Sequence, residues 1–162
     1  MPETYPQPQW ITAALIAELR ARAASLPRLR TNHNFHAGPA DNPHRFLNVM
    51  MRGTYCQPHR HVTPPKPESW ILLEGAVRFF TFDDAGAITT ARDLAANSST
   101  LGLDLPPGEW HTLCVTSECA VLFEVKPGPW NPATDKDFAA WAPAEGAPEA
   151  PEYLQTLLDH RP

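Results

Sequence analysis

What is scarce in this sequence of 162 residues already excludes several kinds of protein. Its three cysteines, Cys56, Cys114 and Cys119, are odd in number and show no C-x-x-C spacing. No apolar run approaches the roughly 20 residues that a membrane-spanning helix needs. The first residues carry an acid and prolines instead of the basic and then apolar pattern of a secretory signal. Reduced thiols in a cytoplasmic protein are the simplest account of these features.

Basic residues are also too few for a surface that binds nucleic acid. Lysine and arginine together number 13 against 18 acidic residues, so the net charge is −5. No internal repeat and no low-complexity linker marks a second domain. Hydrophobic residues make up 43% of the chain, which is enough to bury one core at this length. We therefore expect a single domain with a small-molecule partner and no nucleic-acid or membrane partner.

Proline is abundant, with 19 residues against an average share of about 5%. Because proline cannot donate a hydrogen bond to a sheet, its clusters indicate turns between strands. Short runs of β-branched and aromatic residues lie between these turns, and many short strands at close spacing indicate a sandwich or barrel. The predicted strands cover residues 46–51, 69–73, 76–82, 88–90, 99–105, 110–116 and 120–126. Residues 83–86, Asp-Asp-Ala-Gly, predict a hairpin turn in which Gly86 supplies a positive φ.

Helical periodicity is confined to the two ends of the chain. Residues 10–26 carry an apolar stripe that includes Leu15, Leu19 and Ala23, and Pro27 ends it. Residues 149–160 form a short amphipathic pattern, and residues 135–141 indicate a helical turn. The chain is therefore predicted to be mainly β-structure with one helix before and one after the strands.

Four residues have the chemistry of a metal site: His59, His61, Glu68 and His111. Imidazole and carboxylate ligands suit a borderline divalent ion such as Zn, Fe, Ni, Co or Mn. In a strand His59 and His61 point to the same side. Glu68 opens the next strand, which is expected to fold back beside the first, and His111 opens a distant strand. The long gap before Glu68 leaves a site of three histidines as an alternative.

These residues resemble the two sequence motifs of the cupin superfamily. The first motif is matched by a glycine, a His-x-His pair, a glutamate and a second glycine at the expected order: Gly53, His59, His61, Glu68 and Gly75. Six residues separate His61 from Glu68, more than the family pattern has. The second motif is matched at Pro106, Gly108 and His111, whereas Thr100 and Val115 replace its first glycine and its asparagine.

Within the cupins the chain is similar to the WbuC-like cupin-fold metalloproteins. The similarity is carried by the segments 58–61, 66–68, 82–86, 110–112, 123–129 and 135–143. It implies an all-β, cupin-type double-stranded β-helix, or jelly-roll barrel, with an N-terminal α-helix and a short C-terminal helix. Residues 1–44 would form the helix and a cap, residues 45–128 the barrel, and residues 129–162 an extension across one barrel edge. A homodimer is expected by analogy with other cupins.

Several residues near the predicted ligands are candidates for binding a substrate. An anionic or hydroxyl-rich ligand would find donors in a cap before the barrel and in the proline-rich turn: Arg28, Arg30, His33, His36 and Lys66. The alternative for each of them is a solvated loop position. Glu124 and Lys126 share one face of the last strand and would form a pair, either structural or holding a substrate group.

The acid–base candidates are Glu68 and Tyr55. Alternation counted back from His59 puts Tyr55 and Gln57 on the ligand face and Cys56 on the other. Two functions remain open. The first is a metalloenzyme acting on a small polar substrate such as a sugar or sugar derivative, by isomerase or epimerase, lyase or oxygenase chemistry. The second is a non-catalytic module that binds or senses a small ligand through its metal. Fold alone does not choose between them.

Overall fold

The computed structural model of the protein describes residues 7–161 and contains two stacked antiparallel sheets and two helices. The elements in chain order are α1 (Ala13–Ser25), β1 (Arg30–Asn34), β2 (His44–Met51), β3 (His59–Arg60), β4 (Glu68–Glu74), β5 (Ala76–Phe82), β6 (Ile88–Ala95), β7 (Gly102–Leu105), β8 (Trp110–Val115), β9 (Cys119–Lys126), β10 (Asp137–Phe138) and α2 (Ala150–Asp159).

Each sheet has five strands. Sheet A has the order β1-β2-β9-β4-β7, and sheet B has the order β10-β3-β8-β5-β6. Apart from the pairs β1–β2 and β5–β6, successive strands alternate between the sheets, as in a jelly roll, although the two sheets do not close into a continuous barrel. The predicted all-β cupin-type fold, with one helix before and one after the strands, is confirmed.

Four layers of structure enclose three apolar cores. The helix α1 packs on the outer face of sheet A, where Leu19 and Ala23 meet Leu47 and Val121. The helix α2 and the segment before it cover the outer face of sheet B. Between the sheets, apolar side chains from both inner faces form the central core: Met50, Trp70, Leu72, Val77, Phe79, Leu94, Leu105, Leu113, Val115, Ala120 and Leu122.

The first helix begins at Ala13, later than its apolar periodicity predicted. The Thr12 hydroxyl accepts a hydrogen bond from the Leu15 amide and caps the helix at that point. Trp10 and Ile11 precede the cap and are exposed, at 76% and 44%. A helix of 13 residues is marginal by itself in water, so its packing on sheet A must stabilise it. The second helix lies within one residue of its predicted ends.

Five of the seven predicted strands agree with the structure to within two residues. The exceptions are β6, which continues to Ala95, and β7, which starts only at Gly102. The helical turn predicted for residues 135–141 is wrong at its centre, since Asp137–Phe138 is a strand that pairs with β3. The edge strand β1 was not predicted, because its sequence Arg-Thr-Asn-His-Asn is polar throughout.

At two turns the backbone requires glycine. Gly75 joins β4 of sheet A to β5 of sheet B with a φ of +76°, and a Cβ there would lie 2.0 Å from the Cys119 carbonyl oxygen. Gly86 has a φ of +88° in the hairpin between β5 and β6, as its position in the sequence predicted. The first of these glycines lets the chain cross between the sheets immediately after the strand that carries Glu68.

Segments outside the predicted barrel also contribute to the sheets. The strand β1 lies within residues 1–44 and is the edge of sheet A, and β10 lies within residues 129–162 and is the edge of sheet B. Neither α1 nor α2, the helices of residues 7–161, is long and apolar enough to cross a membrane.

Candidate metal centre

The three histidines of the two motifs meet at one end of the space between the sheets. His59 on β3 pairs directly with His111 on β8, and His61 follows β3 by one residue. Their ring centroids lie 4.5 to 5.9 Å apart, and all three rings are buried. Strand alternation therefore turns His59 and His61 to a common side, as predicted.

Glu68 reaches the same place from the opposite sheet. The expectation that its strand lies beside β3 is wrong, because β4 belongs to sheet A and β3 to sheet B. The connection of residues 62–67 carries the chain across the interior, which accounts for the long spacing between His61 and Glu68. The carboxylate then approaches the imidazoles from across the sandwich.

Each imidazole is oriented by a hydrogen bond from its Nδ1 to a main-chain carbonyl. His59 donates to Gln57 at 3.0 Å, His111 donates to Glu109 at 2.9 Å, and His61 donates to Asp135. A carbonyl oxygen only accepts, so Nδ1 carries the proton in all three rings. In the neutral ring Nε2 then carries no proton and is free to bind a metal ion, which is the arrangement found in histidines that bind metals.

The Nε2 atoms of His61 and His111 face the Glu68 carboxylate without hydrogen-bonding to it. They lie 2.9 and 3.3 Å from its oxygens, yet neither pair has hydrogen-bond geometry and both nitrogens are buried without another partner. A buried polar atom without a partner costs about 1–3 kcal/mol, so each of these two nitrogens is a position that calls for a ligand. A cation between them would satisfy both sides.

The donor set fits a borderline divalent metal ion. The three histidines offer nitrogen atoms that all lie within 4.8 Å of one another. Glu68 lies outside this mutual group, although its Oε1 contacts His61. Imidazole nitrogen suits Zn, Fe, Ni and Co alike, and carboxylate oxygen adds Mn, so the residues define a class of ion and not one element. The fourth ligand remains a prediction.

Burial and charge favour the protonation states that a metal needs. Burial, and after it the charge of Lys136, lower the pKa of His59 well below its usual value. Burial works to raise the pKa of Glu68, but its contacts with His111 and His61 and the charge of Lys126 hold that pKa well below its usual range. The imidazole of His59 is therefore neutral and the carboxylate ionised near pH 7.

A buried network of ion pairs supports the site from behind. Lys126 Nζ lies 3.3 Å from Glu68 Oε1 and 3.2 Å from Asp135 Oδ2. Lys66 Nζ lies 2.8 Å from Asp135 Oδ1 and also donates to the Pro129 carbonyl. All four side chains are less than 10% exposed, and their two positive and two negative charges balance. Asp135 thus holds both lysines through its side chain and His61 through its main chain.

A cavity of about 150 Å³ lies against the metal centre. His59 and His111 line it from sheet B, and Asn48, Glu68 and Glu124 line it from sheet A. Asn48 donates to the Glu124 carboxyl, whose pKa burial and the neighbouring Glu68 charge raise to about 8. A wider cleft of about 760 Å³ lies next to this cavity, and four residues line both: Arg28, Phe46, Lys126 and Lys136.

The residues predicted to bind substrate are placed in different surroundings. Arg30 lines the inner cavity and Arg28 lines both spaces, but both bind Glu145. His36 lines the outer cleft, where its ring stacks on His44 at 4.0 Å. Lys66 is buried in the ion network. His33 pairs with Leu47 of the core beneath α1 and so lies on the other face of sheet A.

The side chains of residues 55–57 point to the opposite faces from those predicted. Tyr55 turns outward and donates its hydroxyl to the Pro143 carbonyl at 2.7 Å, and Gln57 donates to Ala139. Cys56 packs instead on the central core and lines the inner cavity. Residues 54–58 are not in a strand, so the alternation assumed in counting back from His59 does not hold there.

Several residues of the site carried no motif. Asn48 was at most a weak candidate for the site, and Asp135 and Lys136 appeared only within the segment 135–143 that carries the family similarity. Glu124 and Lys126 were seen only as a pair on one strand face. Alternation along β2 and β9 puts Asn48, Glu124 and Lys126 on the inner faces. Polar residues at inner positions of otherwise apolar strands were therefore the signal available for them.

Sequence comparison identifies the family. Residues 11–94, half of the chain, match the family described as a domain of unknown function, DUF6016. The chain belongs to that family. A search of curated protein sequences finds no match. The family match spans α1 to β6 and so includes His59, His61 and Glu68, while His111 lies beyond it.

Solved structures of cupin-fold proteins share the architecture at low sequence identity. L-ribose isomerase from Geodermatophilus obscurus aligns with a TM-score of 0.56 and 16% identity over 70% of each chain. An oxalate oxidase in complex with the substrate analogue glycolate aligns with a TM-score of 0.53 and 13% identity over 71% of this chain and 57% of the other.

The capsular polysaccharide assembling protein CapF from Staphylococcus aureus aligns with a TM-score of 0.51 and 18% identity over 66% of this chain. This chain spans 31% of the length of CapF, so it corresponds to one part of that protein. At these identities the likeness establishes the cupin fold and leaves activity to the site itself.

Proposed function

We propose that this protein is a cupin metalloenzyme of the WbuC-like kind that acts on a small polar substrate such as a sugar or sugar derivative. The observation that supports this most directly is the orientation of the three imidazoles. Each is fixed by a main-chain carbonyl at Nδ1, and the Nε2 atoms of His61 and His111 face a carboxylate without hydrogen-bonding to it. A bound cation is the simplest physical account of that arrangement.

His59, His61 and His111 would hold the ion, and Glu68 would be its fourth ligand. A divalent ion at this place would polarise a carbonyl or hydroxyl oxygen of the substrate. Glu124 is the carboxyl group in the cavity that does not face the imidazoles, and Asn48 donates to it. It is therefore the side chain placed to hold or transfer a proton next to a substrate.

The comparisons favour a sugar-related substrate without fixing the reaction. One similar structure is named as an L-ribose isomerase and another as a protein of capsular polysaccharide assembly, while a third is named as an oxalate oxidase. Isomerase or epimerase, lyase and oxygenase chemistry all remain within the proposal, because each can begin with a substrate oxygen polarised by a metal.

A second function, a module that binds or senses a small ligand without converting it, is favoured by one observation. Both residues expected from the sequence to act as acid or base are engaged elsewhere. Tyr55 is hydrogen-bonded to Pro143, and Glu68 faces the imidazoles. If Glu124 also has no role in chemistry, the metal would serve to anchor a ligand.

The first test is elemental analysis of protein purified without chelator or nickel resin. We expect close to one divalent ion per chain, and we expect His59→Ala and His111→Ala to remove most of it. Full occupancy in a protein with both substitutions would place the ion elsewhere. Once the natural metal is known, the turnover of candidate sugars is measured for wild type and for Glu124→Gln. An enzyme should convert a sugar and lose activity in Glu124→Gln, whereas a binding module should show no turnover in either protein.

A small-molecule ligand, a homodimer and a cytoplasmic location complete the proposal. The dimer rests on analogy with other cupins, and the location on the unpaired cysteines. Sedimentation velocity of the purified protein would test the first, and fractionation of cells that produce the protein would test the second.

A further inference from the structure

All three lysines of this chain lie at the candidate site. The chain has 13 basic side chains, of which Lys66, Lys126 and Lys136 are the lysines, and arginine supplies the basic residues elsewhere. We propose that Lys136 binds an anionic oxygen group of the substrate, a carboxylate, next to the metal centre. This inference rests on the proposed function and names the class of substrate for that site.

Two of the three lysines are already neutralised by buried carboxylates. Lys66 is paired with Asp135, and Lys126 contacts both Asp135 and Glu68. Lys136 has no hydrogen-bond or ion-pair partner within residues 7–161, and its side chain is exposed. Its ammonium group is therefore the lysine charge at the site that is available to a ligand.

The fold fixes the place of Lys136. The preceding residue, Asp135, is held by two lysines and by the hydrogen bond from His61 to its carbonyl. The following residue, Asp137, pairs with Arg60 at 2.8 Å in the register of β10 and β3. Lys136 stands between these two anchors and lines both the inner cavity and the outer cleft. A ligand entering from the cleft passes it on the way to the histidines.

The charges at this junction favour an anion. Arg28 and Arg30 share the single carboxylate of Glu145 and leave one positive charge uncompensated. Lys136 adds a second, and the metal ion would add more. Glu124, the second carboxyl group of the inner cavity, pairs with none of these three side chains. Its nearest cation is Lys126, at 3.9 Å. Lysine binds carboxylate and phosphate as a point charge, without requiring a planar partner.

The size of the cavity limits what reaches the metal. A volume of about 150 Å³ equals that of an engineered cavity that holds benzene, a molecule with six heavy atoms. A whole hexose has about twice that number. The inner cavity therefore admits one end of a sugar acid or a small hydroxy acid, and the rest of a larger substrate would lie in the outer cleft. Lactate, with six heavy atoms, is a suitable probe, and lactamide is its neutral counterpart of the same shape.

The binding test compares lactate with lactamide on protein loaded with its metal, by calorimetry. We expect lactate to bind more tightly than lactamide, and Lys136→Gln to weaken lactate binding about tenfold while leaving lactamide unchanged. Arg92→Gln is the matched control, because it removes one positive charge from the exposed strand β6, away from both spaces. Inorganic phosphate tests the other anion, and tighter binding of phosphate than of lactate would contradict the choice of a carboxylate.

A chemical test does not depend on activity. Lys66 and Lys126 are 3% and 7% exposed, so a lysine-directed acetylating reagent should modify Lys136 well ahead of them. Saturating lactate should slow modification of Lys136 at least severalfold, as measured by peptide mass spectrometry, whereas lactamide should not. Equal rates with and without lactate would overturn the assignment.

The two proposals fail in different ways. If wild-type protein takes up no metal, the proposed function fails, whatever the lysine does. If the protein binds metal but Lys136→Gln leaves the preference for lactate intact, the metal centre stands and the role of Lys136 is wrong. Unchanged metal content in Lys136→Gln is the check that the substitution has not disturbed the centre itself.

Discussion

The two ends of the space between the sheets are built from the same strands and have opposite chemistry. At one end the inner positions of four strands are apolar, and a few residues further along the same strands they are polar or charged. The apolar residues are Met50 on β2, Leu72 on β4, Leu113 on β8, and Ala120 and Leu122 on β9. The polar residues are Asn48 on β2, Glu68 on β4, His111 on β8, and Glu124 and Lys126 on β9. Within sheet A the change is staggered, because Asn48 lies opposite Leu122 and Trp70 lies opposite Glu124.

This difference separates the residues that stabilise the fold from the residues that form the candidate site. Replacing a buried ion-pair network with well-packed apolar residues is often neutral or stabilising, by up to about 4 kcal/mol. The apolar end shows that these strands accept such residues. The polar end is therefore not explained by stability, and a metal centre with its supporting charges is the explanation that we favour.

The largest expected effect comes from breaking the ion network at Asp135. Replacing Asp135 with Ala leaves two buried ammonium groups without their shared carboxylate, so we expect a loss of about 3–5 kcal/mol in the free energy of unfolding by urea. Asp137→Ala is the control, because its carboxylate is 43% exposed and pairs with Arg60 at the surface. That change should cost less than about 1 kcal/mol. Similar costs for the two substitutions would mean that the buried network contributes no more than a surface pair.

At the apolar end, Leu122→Ala should destabilise the protein without affecting the metal. Leu122 is 1% exposed in the central core, and its truncation leaves a cavity that costs about 3 kcal/mol, within the range known for such changes. Urea unfolding measures the loss, and elemental analysis should find the metal content of wild type. Loss of the metal in Leu122→Ala would show that the apolar and polar ends do not act independently.

At the polar end, Glu68→Gln tests the fourth ligand. The substitution keeps the shape and one oxygen atom but removes the charge that offsets the cation, so we expect metal binding to weaken by about 10- to 100-fold. His111→Ala should weaken it further, since a direct ligand is lost. A competition titration with a chromogenic chelator measures both. Unchanged affinity in Glu68→Gln would leave the three histidines as the protein ligands.

The smallest effect near neutral pH concerns a thiol on the apolar outer face of sheet B, because its contribution to stability changes only above about pH 9. Burial raises the pKa of Cys114 to about 12 from a reference value of 9.0. Above pH 9 the unfolded chain loses this proton while the folded chain keeps it, so stability falls as pH rises from about 9 to 12, by up to about 1.4 kcal/mol for each pH unit. Cys114→Ala should show a shallower decline in this window. An identical slope would mean that Cys114 titrates normally in the folded protein.

The sequence predicted those helices, strands and turns whose local residue pattern is compatible with only one backbone structure. The apolar stripe of α1, five of the strands and the hairpin at Gly86 each follow from a local period or from a backbone conformation that favours glycine. The His-x-His pair and the later histidine are likewise matched by a family pattern, and the structure brings all three together. The predicted fold class is correct for these reasons.

The remaining parts depend on contacts distant in sequence. Nothing local in Arg-Thr-Asn-His-Asn distinguishes the edge strand β1 from a polar loop. The reversed faces of Tyr55 and Cys56 follow from an irregular stretch next to Pro58, where alternation stops. Asp135 is polar in a proline-rich tail, and its role appears only when the tail returns to β3. Such pairings across 70 or more residues leave no periodic signal.

The hydrogen bond from His61 to the carbonyl of Asp135 makes the orientation of His61 depend on the length of this part of the tail more than on its side chains. A main-chain acceptor is present whichever side chain occupies position 135, so substitution there leaves the acceptor in place. Deleting or inserting a single residue between β9 and β10 would instead move that carbonyl by about 3.8 Å, beyond hydrogen-bond reach of the ring. Across homologous sequences, the number of residues in 127–135 should therefore stay constant, even where residues other than Gly128 and Asp135 vary in identity.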